Sequence, residues 1–225
     1  AVSAASHNAK VISLDALPDS APGAEVPMPA LTPQDFATII YSSGTTGAPK
    51  GILHTHQARL MHAAGLAVEF SIGDRAVTLL ATPLHTNGTW MMALPTLAMG
   101  GCCMLMSRFT AKEAIRCLAE SGVTHMFAVP TMLGAMHQEL SAAPRAFPDL
   151  VMCISAGSAL VPELKQAMHS MLGGRLGELY GLTEGVATVL KPNEMLAHLD
   201  SVGRPGGGVE LVILDEQGNQ VPAGE

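Results

Sequence analysis

The sequence predicts an α/β fold: a mostly parallel sheet flanked by helices, with the start of a small β subdomain at the C-terminal end. Three observations carry this expectation. Four short runs, 76–80 (AVTLL), 102–106 (CCMLM), 125–129 (HMFAV) and 151–154 (VMCI), are apolar almost throughout, the pattern of strands buried on both faces. Stretches with helical spacing separate them, as crossover connections between parallel strands require. The last 25 or so residues change to the style of an antiparallel hairpin.

Taken in chain order, residues 10–14 (KVISL) read as a leading strand. Pro18, Pro22, Pro27, Pro29 and Pro33 among small residues then make an extended connector in which helix cannot persist. These residues form a first segment, 1–35. Residues 36–200 are expected to be the α/β body. Within it Thr110, with Glu113 three residues on, reads as a capping box opening a helix that places Ala111, Ala114, Ile115 and Leu118 on one face. A second helix is predicted from Pro162, with Leu164, Ala167, Met168 and Met171 on its stripe and Gly173-Gly174 as its stop. Both have a polar back and should cover a sheet. Residues 201–225 are expected to begin a truncated β subdomain, with 209–214 (VELVIL) as a strand entering a turn at 215–218.

Composition narrows the function classes. With 225 residues, 48% hydrophobic and 14% charged, the chain can bury a substantial core and is not a disordered one. A net charge of −7 without a Lys/Arg cluster excludes a nucleic-acid binder. No apolar run approaches a membrane span. Cys102, Cys103, Cys117 and Cys153 form no CxxC pair, which points to reduced thiols in a cytoplasmic protein and to no zinc site. The 14 methionines are core filler, with some available to line an apolar channel. His54 and His56 form an HxH pair that reads as a solvated helix start in preference to a metal site.

The stretch 41–51, YSSGTTGAPKG, is the clearest chemical signal. Glycines let backbone N–H groups approach a polyphosphate, the hydroxyls of Ser42, Ser43, Thr45 and Thr46 add donors, and Lys50 offsets charge. It is not a Walker A loop, because GxxxxGK[ST] is absent. From composition alone a surface turn after a strand remains its rival reading.

The whole string resembles the phosphate-binding motif of the adenylate-forming superfamily of acyl-CoA synthetases, peptide-synthetase adenylation domains and luciferases. Further segments of that family follow in order. Thr82-Pro83-Leu84-His85-Thr86-Asn87-Gly88 resembles the acyl-pocket segment, with Leu84 where an aromatic is common. Ser155-Ala156-Gly157-Ser158-Ala159-Leu160 resembles the adenine-lining segment, Tyr180-Gly181-Leu182-Thr183-Glu184 the YG-T-E motif, and Ser201-Val202-Gly203-Arg204-Pro205 the SVG-P segment.

The resemblance implies a fragment of the large N-terminal domain of an acyl-CoA synthetase of fatty-acid-CoA ligase type, with ATP, Mg²⁺ and coenzyme A as its cofactor and co-substrates. It implies catalytic roles for Thr183, Glu184 and Lys50, and nucleotide or phosphate binding by Ser42, Ser43, Gly44, Thr45, Thr46, Gly47, Lys50, Gly157, Ser158, Ala159, Tyr180, Gly181 and Thr183. Glu184 would hold Mg²⁺, a hard cation that takes carboxylate and phosphate oxygens together. His85, Gly88 and Trp90 would belong to the substrate pocket. Amino-acid-activating relatives place an aspartate beside that pocket to pair with an ammonium. Here Leu84-His85 supplies no carboxylate, so a neutral-tailed acid, fatty or aromatic, is expected.

The chain begins AVSAASHNAK without a start methionine or signal-peptide core and ends at VPAGE, before the family's ribose aspartate, hinge and C-terminal lysine, so it is expected to be an incomplete piece. Such a piece should expose apolar patches and self-associate. Two alternatives stay open: transfer of the acyl group to a carrier-protein thiol, and a non-catalytic nucleotide-binding module.

Overall fold

The computed structural model describes residues 29–42, 49–222 and 224. The predicted leading strand at 10–14 and most of the proline-rich connector lie outside them. Everything below concerns the compact unit that starts at Pro33.

A hairpin comes first. β1 (Phe36–Ser42) pairs antiparallel with β2 (Lys50–Thr55), in register from Ile39 opposite Leu53 to Ser42 opposite Lys50. Helix α1 (His56–Phe70) follows at once, its N-terminus capped by Thr55, whose Oγ1 accepts from Ala58 N at 3.1 Å. Then come β3 (Val77–Leu80), α2 (Asn87–Ala98), β4 (Cys102–Leu105), α3 (Ala111–Glu120), β5 (His125–Ala128), α4 (Pro130–Ala142), β6 (Met152–Ser155) and α5 (Pro162–Met171). β7 (Leu176–Leu182), β8 (Gly185–Leu190), a 3-10 segment at Pro192–Ala197 and β9 (Arg204–Pro205) complete the body.

Among the described residues the main sheet has seven strands in the order β4-β3-β5-β6-β7-β8-β9. In that order the strands from β4 to β7 are parallel, β8 pairs antiparallel with β7, and β9 pairs antiparallel with β8. The four apolar runs are indeed strands, and β5 and β6 are buried at every residue. Two apolar layers seal the faces. One joins the sheet to α3, α4 and α5 through Leu118, Met126, Leu133, Met136 and Met168; the other joins it to α1 and α2 through Phe70, Met92 and Ile154.

This order has a topological consequence. From β3 the chain moves to β4 through α2, while from β5 it moves to β6 through α4 on the opposite face. The connections leave β3 and β5 in opposite directions, and such a switch opens a crevice beyond the carboxyl ends of those two strands.

Three local expectations need correction. At α3, Thr110 Oγ1 does accept from Glu113 N at 3.3 Å, but the Glu113 carboxylate turns forward to Arg116, at 2.9 and 2.6 Å, so only half of a capping box forms. The polar back of α5 is not wholly in solvent, because Lys165 and His169 are buried with Met168. In the tail, 209–214 forms no ladder among the described residues; one antiparallel bridge, Leu214 to Gln220, closes the turn that Asp215 stabilises by accepting from Gln217 N and Asn219 N. Among the described residues no helix is long and apolar enough to cross a membrane.

Candidate active site

The switch-point crevice contains a cavity of about 760 Å³. Residues just past β3 (Ala81, Thr82, Pro83), past β5 (Val129) and past β6 (Ala156, Gly157) form its rim, and Gly181, Leu182 and Thr183 close it from β7. Met91, Phe109, Phe127 and Met132 supply the apolar wall, and none of the described lining residues is ionisable. Gly88 allows a close approach: a Cβ there would sit 2.6 Å from Phe127 Cε1, so the aromatic ring occupies the space a side chain would take.

Of the residues expected in the substrate pocket, Gly88 is in this wall. His85 is exposed and lies outside it, and Trp90 instead donates its indole N–H to Leu84 O at 2.7 Å, bracing the turn that carries His85. Gly157 lines the cavity, whereas Ser158 and Ala159 continue the same exposed loop. Tyr180 is 51% exposed on β7, its ring free on the surface beside the cavity residues Gly181 to Thr183.

Ser42 and Lys50 face each other as the last pair of the β1–β2 hairpin, with Lys50 exposed. Ser43, Gly44, Thr45, Thr46 and Gly47 lie outside the described residues. What the structure adds is how the hairpin reaches the rest of the site. His54, four residues beyond Lys50 on β2, is buried, and its Nε2 lies 2.9 Å from the backbone oxygen of Thr183. The oxygen can only accept, so Nε2 carries the proton. His54 is therefore a strand residue in the interior, not part of a solvated helix start; His56 is the residue that opens α1.

Glu184 stands at the β7–β8 turn and lines a smaller cavity of about 270 Å³ with His54, His62 and Glu69. Burial and the neighbouring Arg59 charge hold the His54 imidazole below its ordinary value, against the opposing pull of Thr183 O and Glu184. Burial, with Arg59 and His54, does the same to His62.

A second buried element ties together three of the segments singled out in the sequence. Lys165 on α5 and Glu178 on β7 form an ion pair at 2.5 Å, each 2% exposed. Glu178 Oε1 also accepts from Leu160 N at 3.2 Å, and Lys165 Nζ donates to Ser201 O at 3.0 Å. The pair thus links the 155–160 loop, the strand leading into Tyr180 and the 201–205 segment. Gly203 is fixed in that segment by a φ of +90° and by Val189 O, which a Cβ would meet at 2.0 Å.

His54, Arg59, Lys165 and Glu178 went unread as site residues. For His54 a signal exists: Lys50, Ile52 and His54 alternate on one side of β2. For Lys165 and Glu178 none does, because a charged residue in an isolated sequence reads as solvated.

A sequence model of the AMP-binding enzyme family matches residues 2–225. Sulfoacetate–CoA ligase of Cupriavidus necator is 32% identical over 222 residues, covering 95% of this chain and 42% of that protein. 2-Succinylbenzoate–CoA ligase of Geobacillus kaustophilus is 33% identical over 185 residues, covering 81% of this chain and 37% of its own length. The chain therefore spans about two-fifths of the curated relatives it matches. Among solved structures, the amide bond synthetase McbA from Marinactinospora thermotolerans superposes with a TM-score of 0.81 at 25% identity, over 92% of this chain and 42% of that one. The N-terminal domain of FACL13 from Mycobacterium tuberculosis gives 0.79 at 25% identity, over 88% and 50%. The mostly parallel sheet with flanking helices is the fold these neighbours share, and with the family pattern running along nearly its whole length, the chain belongs to the AMP-binding enzymes.

Proposed function

We propose that the whole protein is an ATP-dependent acid–CoA ligase that activates a neutral-tailed carboxylic acid, fatty or aromatic, as its acyl adenylate with release of pyrophosphate, and then passes the acyl group to coenzyme A. The observation that carries this reading is the placement of Thr183. It shares one wall with a cavity lined by no ionisable described residue, while the next residue, Glu184, stands in the adjoining smaller cavity. An apolar tail and a triphosphate can thereby meet at one backbone segment.

In this reading the acid lies in the larger cavity and its carboxylate attacks the α-phosphorus of ATP near Thr183, whose hydroxyl meets the charge that shifts there. Tyr180 offers a free aromatic face to adenine, and the loop 157–159 offers its backbone edge. Lys50 and the glycine loop neutralise the departing pyrophosphate. Such catalysis consists of positioning and charge neutralisation, which is why a histidine that fixes Thr183 matters more than an additional acid or base.

Glu184 fits the protein's share of a Mg²⁺ site. Among the described residues no group of three or more His, Cys, Asp or Glu side chains could hold a metal alone. Nucleotide-bound Mg²⁺ takes one or two carboxylates and fills its remaining positions with phosphate oxygens and water. Glu184 would hold the ion there, and the chemistry the ion would supply is neutralisation of phosphate charge.

Acid-dependent exchange of labelled pyrophosphate into ATP, measured on the whole protein across fatty, aromatic and amino acids, tests the proposal. Exchange with a neutral-tailed acid supports it. Exchange with amino acids alone would overturn the substrate assignment, and none with any acid would overturn the reaction.

A further inference from the structure

The wall of the larger cavity carries no charge among the described residues, yet a buried cation lies one hydrogen bond behind it. Arg59 on α1 is 6% exposed. Its Nε donates to Thr38 Oγ1 at 2.9 Å and one terminal nitrogen donates to Asn87 Oδ1 at 3.1 Å, while the other terminal nitrogen is buried without a hydrogen-bond partner. No carboxylate pairs with this guanidinium among the described residues.

That contact settles which way Asn87 points. A guanidinium has only donors, so the amide must turn its oxygen to Arg59 and its NH₂ away. The NH₂ has no partner among the described residues, and Asn87 is itself part of the cavity wall at the first turn of α2. An amide whose oxygen is bound to an uncompensated cation is also a stronger donor than a free one.

We propose that Asn87 is a substrate-binding residue whose NH₂, oriented by Arg59, donates a hydrogen bond to an oxygen of the acid. The inference rests on the acid-activating reading above. Two oxygens share the required chemistry: one in the tail of the acid, such as a hydroxyl, ether or carbonyl, and one of the reacting carboxylate. A cavity otherwise lined by apolar and hydroxyl groups would use this single oriented donor to select orientation, because a donor left unpaired in a closed site penalises an acid that cannot meet it. Arg59 acts through Asn87 as a positioning residue.

The test is pyrophosphate-exchange kinetics of the whole protein with matched acids that do or do not carry a tail oxygen. Wild type is compared with Asn87→Asp, which keeps the shape and the Arg59 contact but replaces the donor, with Asn87→Ala, and with Arg59→Met. The expected result is a loss of about 10- to 100-fold in kcat/KM for the acid in Asn87→Asp, with the KM for ATP unchanged. A smaller loss of the same kind is expected in Arg59→Met. A loss confined to oxygenated acids identifies the tail oxygen as acceptor, and an equal loss for all acids identifies the carboxylate. Acid KM and kcat within about twofold of wild type in both Asn87 variants would overturn the inference while leaving the ligase reading intact. A rise in ATP KM alone would also overturn it, as the mark of a structural role. Wild type that exchanges with no acid would overturn both.

Discussion

His54 Nε2 and the backbone oxygen of Thr183 lie 2.9 Å apart, joining two residues 129 positions apart in sequence. One side of this bond is the strand that leaves the glycine loop; the other is the YGLTE segment. One buried imidazole therefore ties together the two elements proposed to face the phosphates. His54→Ala should lower stability by about 1 kcal/mol, since the carbonyl loses its donor, and raise the KM for ATP. His54→Gln, which retains an N–H donor, should recover part of both. Urea unfolding and exchange kinetics on the two variants check this.

Protonation should weaken the fold in a defined window. His54, His62 and His125 are all held below the ordinary imidazole value of 6.5, with burial the largest cause at each. Their folded values lie below their unfolded ones, so the unfolded chain takes up protons first as pH falls. The stability these neutral histidines contribute is present above 6.5 and declines as pH drops from there toward the folded values. A urea midpoint lower at about pH 5.5 than at about pH 7.5 is the expected outcome.

Lys165 and Glu178 make a prediction with two parts. Lys165→Met leaves a carboxylate buried without its cation and should cost about 3–5 kcal/mol. The double variant Lys165→Met/Glu178→Leu removes both charges and should regain much of that stability. It would still lack the ties to Leu160 N and Ser201 O. Denaturation should therefore look nearly restored while ATP binding stays weakened, and a thermal melt paired with exchange kinetics separates the two effects.

The outer faces of the hairpin and α1 should drive association. Phe36, Ile39 and Tyr41 on β1, Leu53 on β2, and Leu60, Met61 and Val68 on α1 are exposed by 49% to 83%. Apolar surface on this scale favours self-association at micromolar concentration. Light scattering with increasing mass as concentration rises is the expected result, and Ile39→Lys with Leu53→Glu should reduce it.

The fold was legible where burial is two-sided. β3, β5 and β6 are buried at nearly every position, so their largely apolar runs stand out, while β4 at the sheet edge has the same apolar run with its two end residues exposed; the turns that hold Gly157 and Thr183 are fixed by specific strings. α1 was not legible: Leu60, Met61 and Val68 spread its apolar residues around the helix, leaving no clean stripe. β7 was hidden by Glu178, whose burial depends on Lys165, a residue 13 positions earlier on another element. Arg59 and Asn87 were unreadable as a pair for the same reason, because their meaning lies in a contact across 28 residues.

Transfer of ¹⁸O from the acid to AMP tests the central claim most directly. Whole protein is incubated with ATP, coenzyme A and an acid whose carboxylate oxygens are labelled, and the nucleotide product is analysed by mass spectrometry. Attack of the carboxylate on the α-phosphorus leaves one carboxylate oxygen on phosphorus when the thiol displaces AMP, so AMP carrying one ¹⁸O is the predicted product. ADP with label in inorganic phosphate, or unlabelled AMP, would contradict the account.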